Sequence, residues 1–172
     1  MILDVVTYPN KILKQIAKPV TEFNEELHTL LDNMFDTMYH KQGIGLAAPQ
    51  VGISLRLYIL DNGVDKDEPE KMEIINPEFI LKEGEIIESE GCLSLPGEYA
   101  YVQRYEHVVV KYNDRFGNSH TVDATDRLAR ILQHEYDHLE GIVFIDRLPP
   151  SKRETIKKHI KRRINSGDYV II

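Results

Sequence analysis

Apolar residues recur at three- and four-residue spacing through 24–41, where Leu27, Leu30, Leu31, Met34 and Met38 form one stripe behind Asn24. That period predicts an amphipathic helix, and an asparagine ahead of it is placed to cap the first free N–H groups. The stripe is core. A second helix is predicted from Ser151, where Ser151-Lys152-Arg153-Glu154 has the form of a capping box after two prolines, with Ile156, Ile160 and Ile164 on one face. A third runs through 126–140, which holds good helix formers and no glycine or proline until Gly141 supplies a stop.

The pattern between these helices is that of strands. Leu55-Arg56-Leu57-Tyr58-Ile59-Leu60 is strand-like, and shorter runs at 73–75, 79–81, 85–89, 108–112 and 120–123 alternate or are rich in β-branched residues. Turns fall at Asn113-Asp114 and Phe116-Gly117-Asn118, and Phe144-Ile145-Asp146 reads as one more short strand. Residues 43–52 are too rich in glycine and proline for a helix and read as a loop beside the sheet. The predicted class is α+β: antiparallel or mixed sheets packed around a central helix, with an N-terminal helix and a C-terminal helix.

Composition narrows the picture. The 172 residues suit one domain with a real core, and no internal repeat or linker divides them. Nothing approaches the apolar length of a membrane span, and Met1-Ile2-Leu3-Asp4 lacks the layout of a signal peptide, so the expected location is cytoplasmic. A net charge of −7 argues against DNA as a partner. Acid gathers in 61–70, read as a solvated loop, whereas Lys152, Arg153, Lys157, Lys158, Lys161, Arg162 and Arg163 crowd the C-terminal helix.

The chemistry lies in His134-Glu135-Tyr136-Asp137-His138 and in the sole cysteine, within Glu90-Gly91-Cys92-Leu93-Ser94. On a helix His134 and His138 are one turn apart, so both imidazoles face one side and can grip one ion, with Glu135 turned toward its open position. Two histidines under-coordinate an ion, and Cys92 is the natural third ligand. An isolated cysteine is more often a small buried hydrophobe. Here Gly91 and Pro96-Gly97 mark a backbone that turns sharply and admits a close approach, which favours the ligand reading. Three protein ligands leave a fourth position for water, which the cation acidifies, and Glu135 is placed to take its proton.

With Gly43-Ile44-Gly45-Leu46-Ala47-Ala48-Pro49-Gln50 added, three motifs stand in order, and the chain resembles the peptide deformylase family from Tyr8-Pro9 to Phe144-Ile145-Asp146. The resemblance implies a metal-dependent hydrolase that takes the formyl group from the N-terminal formyl-methionine of newly made polypeptides and releases formate. It implies one divalent ion per chain on Cys92, His134 and His138, ferrous iron first, with zinc, nickel or cobalt as alternatives. It assigns Glu135 as general base, and the Gln50 side-chain amide and Leu93 N–H as donors to the developing oxyanion. Backbone groups of Ile44, Gly45 and Gly91 are expected to pair with an extended peptide like an added strand, leaving most side chains unread. Residues 1–150 then form the catalytic core, and 151–172 a basic helix and tail of the same domain.

Two positions depart from the family pattern. Tyr99 stands where many members carry an arginine that contacts the substrate backbone, and Arg127 falls where apolar pocket residues are common. Arg127 either narrows the methionine pocket or carries its head to water with its stem along the wall. Arg104 is expected to pair with Glu90 and hold the Cys92 loop, or to form only a surface ion pair, and Asp137 to orient a ligand or cap local backbone. The basic helix suits a ribosomal RNA surface or is a solvated face. Two rival readings remain: a zinc metallopeptidase of the ordinary H-E-x-x-H type, against which Cys92 weighs, and a non-catalytic relative that binds N-termini.

Overall fold

The computed structural model describes residues 1–63 and 67–172. Its regular elements are helix α1 (Glu25–His40), strands β1 (Gly45–Ala47), β2 (Leu57–Asp61), β3 (Lys71–Glu83), β4 (Ile86–Cys92), β5 (Leu95–Arg104), β6 (His107–Asn113) and β7 (Ser119–Thr125), then helices α2 (Asp126–Leu139) and α3 (Pro150–Ser166). One antiparallel sheet has the order β1-β2-β3-β6-β7, and β4 pairs with β5 in a second. The class is α+β, as the pattern predicts.

The larger sheet is covered on both faces where β1 and β2 lie, which is why β2 reads as an unbroken apolar run. Successive residues point to opposite sides. Leu57 and Ile59 join Leu31, Met34 and Met38 of α1, while Tyr58 and Leu60 join Ala129 and Leu132 of α2. The Tyr58 hydroxyl donates to the Leu132 carbonyl at 3.1 Å, tying the buried strand to α2. A third cluster seats Ile156, Ile160 and Ile164 of α3 against Leu95, Val102, Phe144 and Leu148.

Helix α2 is held at its middle and at its C-terminal end. Gln133 clamps the β5–β6 connection, accepting from Tyr105 N at 2.9 Å and donating to Tyr105 O at 2.8 Å. At the C-terminal end Gly141, at φ 72°, closes a Schellman motif: Ile142 N donates to Asp137 O at 2.9 Å and Gly141 N to His138 O at 3.3 Å. The Lys14 carbonyl lies where a Cβ on Gly141 would go, so this glycine both ends the helix and lets the N-terminal segment pass against it.

Several local expectations are corrected. Residues 73–75 and 79–81 belong to the single strand β3, whose register shifts against β6 near Ile75 and Phe79 and so breaks the alternation. Pro96-Gly97 lies inside β5 rather than at a sharp turn. Residues 43–52 contain the short strand β1 and a 3-10 turn, Ala48–Val51. Phe144-Ile145-Asp146 is likewise a 3-10 turn, an apolar run too short for its period to decide. Helix α3 opens on Pro150 behind Pro149, without a side-chain cap from Ser151, because proline at the first helical position already lacks the N–H a cap would bind.

The 61–70 loop is also not solvated throughout. Asp61 ends β2 at 3% exposure and accepts from Tyr39 Oη at 2.6 Å, Gly63 N at 2.7 Å and Glu70 N at 2.8 Å. These donors hold its carboxyl below the usual range despite the opposing effect of desolvation. Val64, Asp65 and Lys66 of that loop lie outside the described residues.

Candidate active site

Helix α2 presents His134 and His138 on one face, and the end of β4 delivers Cys92 to them. Their candidate ligand atoms lie within 4.8 Å of one another, and Cys92 Sγ is 3.4 Å from His138 Nε2. Between Gly91 and Cys92 the β4–β5 register slips, an irregularity just before the cysteine, which still pairs with Leu95.

Glu90 lies behind this cluster. His134 Nδ1 is 2.8 Å from Glu90 Oε1, which fixes the ring and leaves Nε2 free for an ion. Arg104, at the end of β5, donates to both Glu90 oxygens at 2.8 and 2.9 Å and to Asp137 Oδ2 at 2.6 Å. Arg147 closes the other side of Asp137 at 2.7 and 3.1 Å. Burial would raise the Glu90 carboxyl, but the bonds from Arg104 and His134 outweigh it and bring the pKa down to about 2. Arg104 pairs with Glu90 as its sequence position led us to expect, whereas Asp137 takes two guanidinium groups and reaches no imidazole directly.

The donors fit a metal ion. Desolvation, with the nearby His134 and Arg104 charges, holds His138 well below the ordinary imidazole value, so it stays neutral as a ligand must. His134 shifts the opposite way: desolvation opposes its proton, but the Cys92 and Glu90 contacts prevail. A position that attracts positive charge at an imidazole nitrogen beside a thiol is one where a divalent ion replaces the proton. Cys92, His134 and His138 form the metal site, the one such cluster among the described residues.

Glu135 is 5% exposed, and its Oε1 has no hydrogen-bond partner. Desolvation raises its pKa to about 7, with His134 opposing. A cation on the neighbouring ligands would pull it back down. Gly45 explains how the carboxylate fits, because a Cβ there would stand 2.8 Å from Glu135 Oε2. Gln50 is buried, accepts from Ala47 N at 2.9 Å, and points its amide at Cys92 Sγ (3.4 Å) and Ser94 Oγ (3.1 Å).

These groups share a cavity of about 680 Å³. Ile44, Gly45 and Gln50 line one side, Gly91, Cys92 and Leu93 another, and His134 and Glu135 the floor, so the predicted site residues other than the buried His138 all reach its surface. Tyr99 lies over Gly91, its ring 2.5 Å from where a Cβ would sit. Arg127 is not part of the wall. Its guanidinium donates to Asn62 O at 2.9 Å, and Arg130, one turn before His134, lines the cavity instead. The sequence reading also missed Thr7 and the segment after α3 (Asp168, Tyr169, Val170, Ile172), brought here by contacts far apart in the chain. No local pattern marks them.

Three protein donors beside an open cavity leave room for solvent and substrate at the ion, which places the chain among metallohydrolases. The family model for polypeptide deformylase matches residues 2–154. The chain is 46% identical over 164 residues to the peptide deformylase of Nautilia profundicola, covering 94% of each. A crystal structure of a peptide deformylase from Legionella pneumophila superposes with a TM-score of 0.89 at 45% identity, covering 96% of this chain and 98% of that one. The Ehrlichia chaffeensis peptide deformylase in complex with actinonin gives 0.87 at 36% identity, covering 94% and 97%. The chain belongs to the polypeptide deformylase family.

The Arg104 bridge can be tested directly. Arg104→Met leaves Glu90 and Asp137 short of their shared cation, and breaking such a buried pair should destabilise the fold by about 3–5 kcal/mol. Because Glu90 orients His134, metal affinity should fall about 10- to 100-fold. Chemical denaturation and competition with a metal-binding dye measure the two effects, and no change in either would contradict this role for Arg104.

Proposed function

We propose that this deformylase works by aiming an extended formyl-methionyl peptide at an ion on Cys92, His134 and His138, with Glu135 as the proton carrier. Deformylase activity, release of formate from formylated N-termini, follows from family membership over nearly the full chain and from the metal site. The observation that carries the mechanistic reading is Glu135: a buried carboxyl with a free oxygen, raised to about 7, at the floor of the cavity beside the ligands.

The ion supplies Lewis acidity, polarising a carbonyl and acidifying water. Glu135 takes a proton from the attacking water with its unpartnered Oε1 and later gives it to the leaving amine. The Gln50 amide, fixed by Ala47 and Ser94, is available to donate to the carbonyl oxygen as charge develops there, with the Leu93 N–H as second donor. Backbone groups of Ile44, Gly45 and Gly91 hold the peptide, so the enzyme can accept many N-termini. Two imidazoles and a thiolate suit iron and zinc alike, and ferrous iron is our first choice over zinc, nickel or cobalt. A reducing cytoplasm is where such a thiolate site and nascent chains coexist.

Residues 1–150 are read as the catalytic core, with 151–172 joined to it as one domain by the packing of α3. On α3, Lys152, Lys158, Lys161 and Arg162 are exposed, which supports contact with ribosomal RNA, whereas His159 and Arg163 are engaged with Glu98. Replacing Lys158, Lys161 and Arg162 with Gln should weaken salt-sensitive co-sedimentation with ribosomes, and unchanged co-sedimentation would remove the contact.

The catalytic assignment is tested by formate release from formyl-Met-Ala. Glu135→Gln should keep its bound metal and lose about 10²–10⁴-fold in kcat. Retained turnover would remove Glu135 as base, and cleavage of internal peptide bonds by the wild type would favour the metallopeptidase reading.

A further inference from the structure

The segment following α3 turns back onto the catalytic cavity and is fixed there by contacts from three directions. The helix ends at Gly167, at φ 84°. Tyr169 is 4% exposed, with its hydroxyl 2.8 Å from Tyr8 O and 3.2 Å from Ser94 O, and Arg163 lies over its ring at 5.2 Å. Thr7 donates its hydroxyl to Val170 O at 2.8 Å and accepts from Ile172 N at 3.0 Å, while Thr7 N donates to Ile172 O at 3.2 Å. Asn10 adds a donor to Ile172 O at 3.0 Å. All these bonds to residues 170 and 172 use backbone atoms, leaving their side chains uncommitted.

Those side chains alternate. Val170 and Ile172 line the cavity with Leu93 and Tyr99, whereas Ile171 between them does not. Val170 is 66% exposed and Ile172 42%, and both of these branched apolar residues line the same cavity as the ligands Cys92 and His134. Resting on the deformylase reading, we propose that Val170 and Ile172 form an apolar shelf that contacts the substrate beyond its formylated methionine and favours an apolar side chain at the second or third residue. The occupant is the substrate chain itself, because shelf and metal site belong to one continuous cavity. The backbone pairing expected of Ile44, Gly45 and Gly91 does not distinguish side chains. A shelf of this kind would add a preference on top of it.

The test compares kcat and KM for formyl-Met-Ala-Ala with versions carrying Leu or Ser at the second or third residue. In the wild type, Leu should be favoured over Ser at one of these positions by about 5- to 20-fold in kcat/KM, within what one small apolar group contributes in a pocket. In the Val170→Ser/Ile172→Ser double variant that ratio should fall toward one, mainly through KM. Val170→Ile/Ile172→Val should retain it, as should Ile171→Ser. A ratio absent in the wild type or unchanged in the double variant would overturn the proposal. So would an equal loss on every peptide, which would make the segment only a brace. A wild type that releases no formate from any of the peptides would instead overturn the deformylase reading itself.

Discussion

The site depends on one buried cation. Arg104 joins Glu90, two residues before the cysteine ligand on β4, to Asp137, one residue before the second histidine ligand on α2. It acts beside the His134–Glu90 contact, which ties the same hairpin to the same helix. Cys92 Sγ stands 3.4 Å from His138 Nε2 before any ion is considered. Preorganisation of this kind matters because a metal ligand set displaced by an ångström loses both affinity and reactivity.

The arrangement carries buried charge that only mutual pairing makes tolerable. Glu90, Arg104 and Asp137 are all buried, and each is satisfied by at least two bonds. Glu135 is the exception: its Oε1 is buried and unpartnered, and desolvation raises its pKa. Fold and chemistry thus divide the carboxylates. Glu90 and Asp137, which brace the ligands, are paired with Arg104, and Glu135 is left short of partners.

What could be read from the sequence follows the range of the interactions. Helical spacing alone aligned His134 with His138 and the Leu27–Met38 stripe with the core, because both depend on residues one turn apart. The thiol was singled out by the need for a third ligand and by its neighbours Gly91 and Pro96-Gly97, and although Pro96-Gly97 lies inside β5, Cys92 does reach the two histidines. The partnership of Arg147 with Asp137 and the return of Tyr169 to Ser94 join residues ten and seventy-five positions apart, and no local pattern encodes either. Asp61 was misread for a related reason: an acidic residue beside other acids resembles a solvated loop until Tyr39 arrives from α1 to bury it. Arg127 was weighed as a pocket residue from the family pattern, yet its guanidinium finds the Asn62 carbonyl.

The central claim is that one sulfur and two imidazole nitrogens converge on an ion that keeps a position open. X-ray absorption at the metal edge of anaerobically purified protein tests it most directly. The account predicts one sulfur at about 2.3 Å and two nitrogens at about 2.0–2.1 Å, the distances of a zinc-like site, plus a light atom from solvent. Loss of the sulfur signal in Cys92→Ala should follow. A first shell without sulfur, or one completed by a fourth protein side chain, would contradict it.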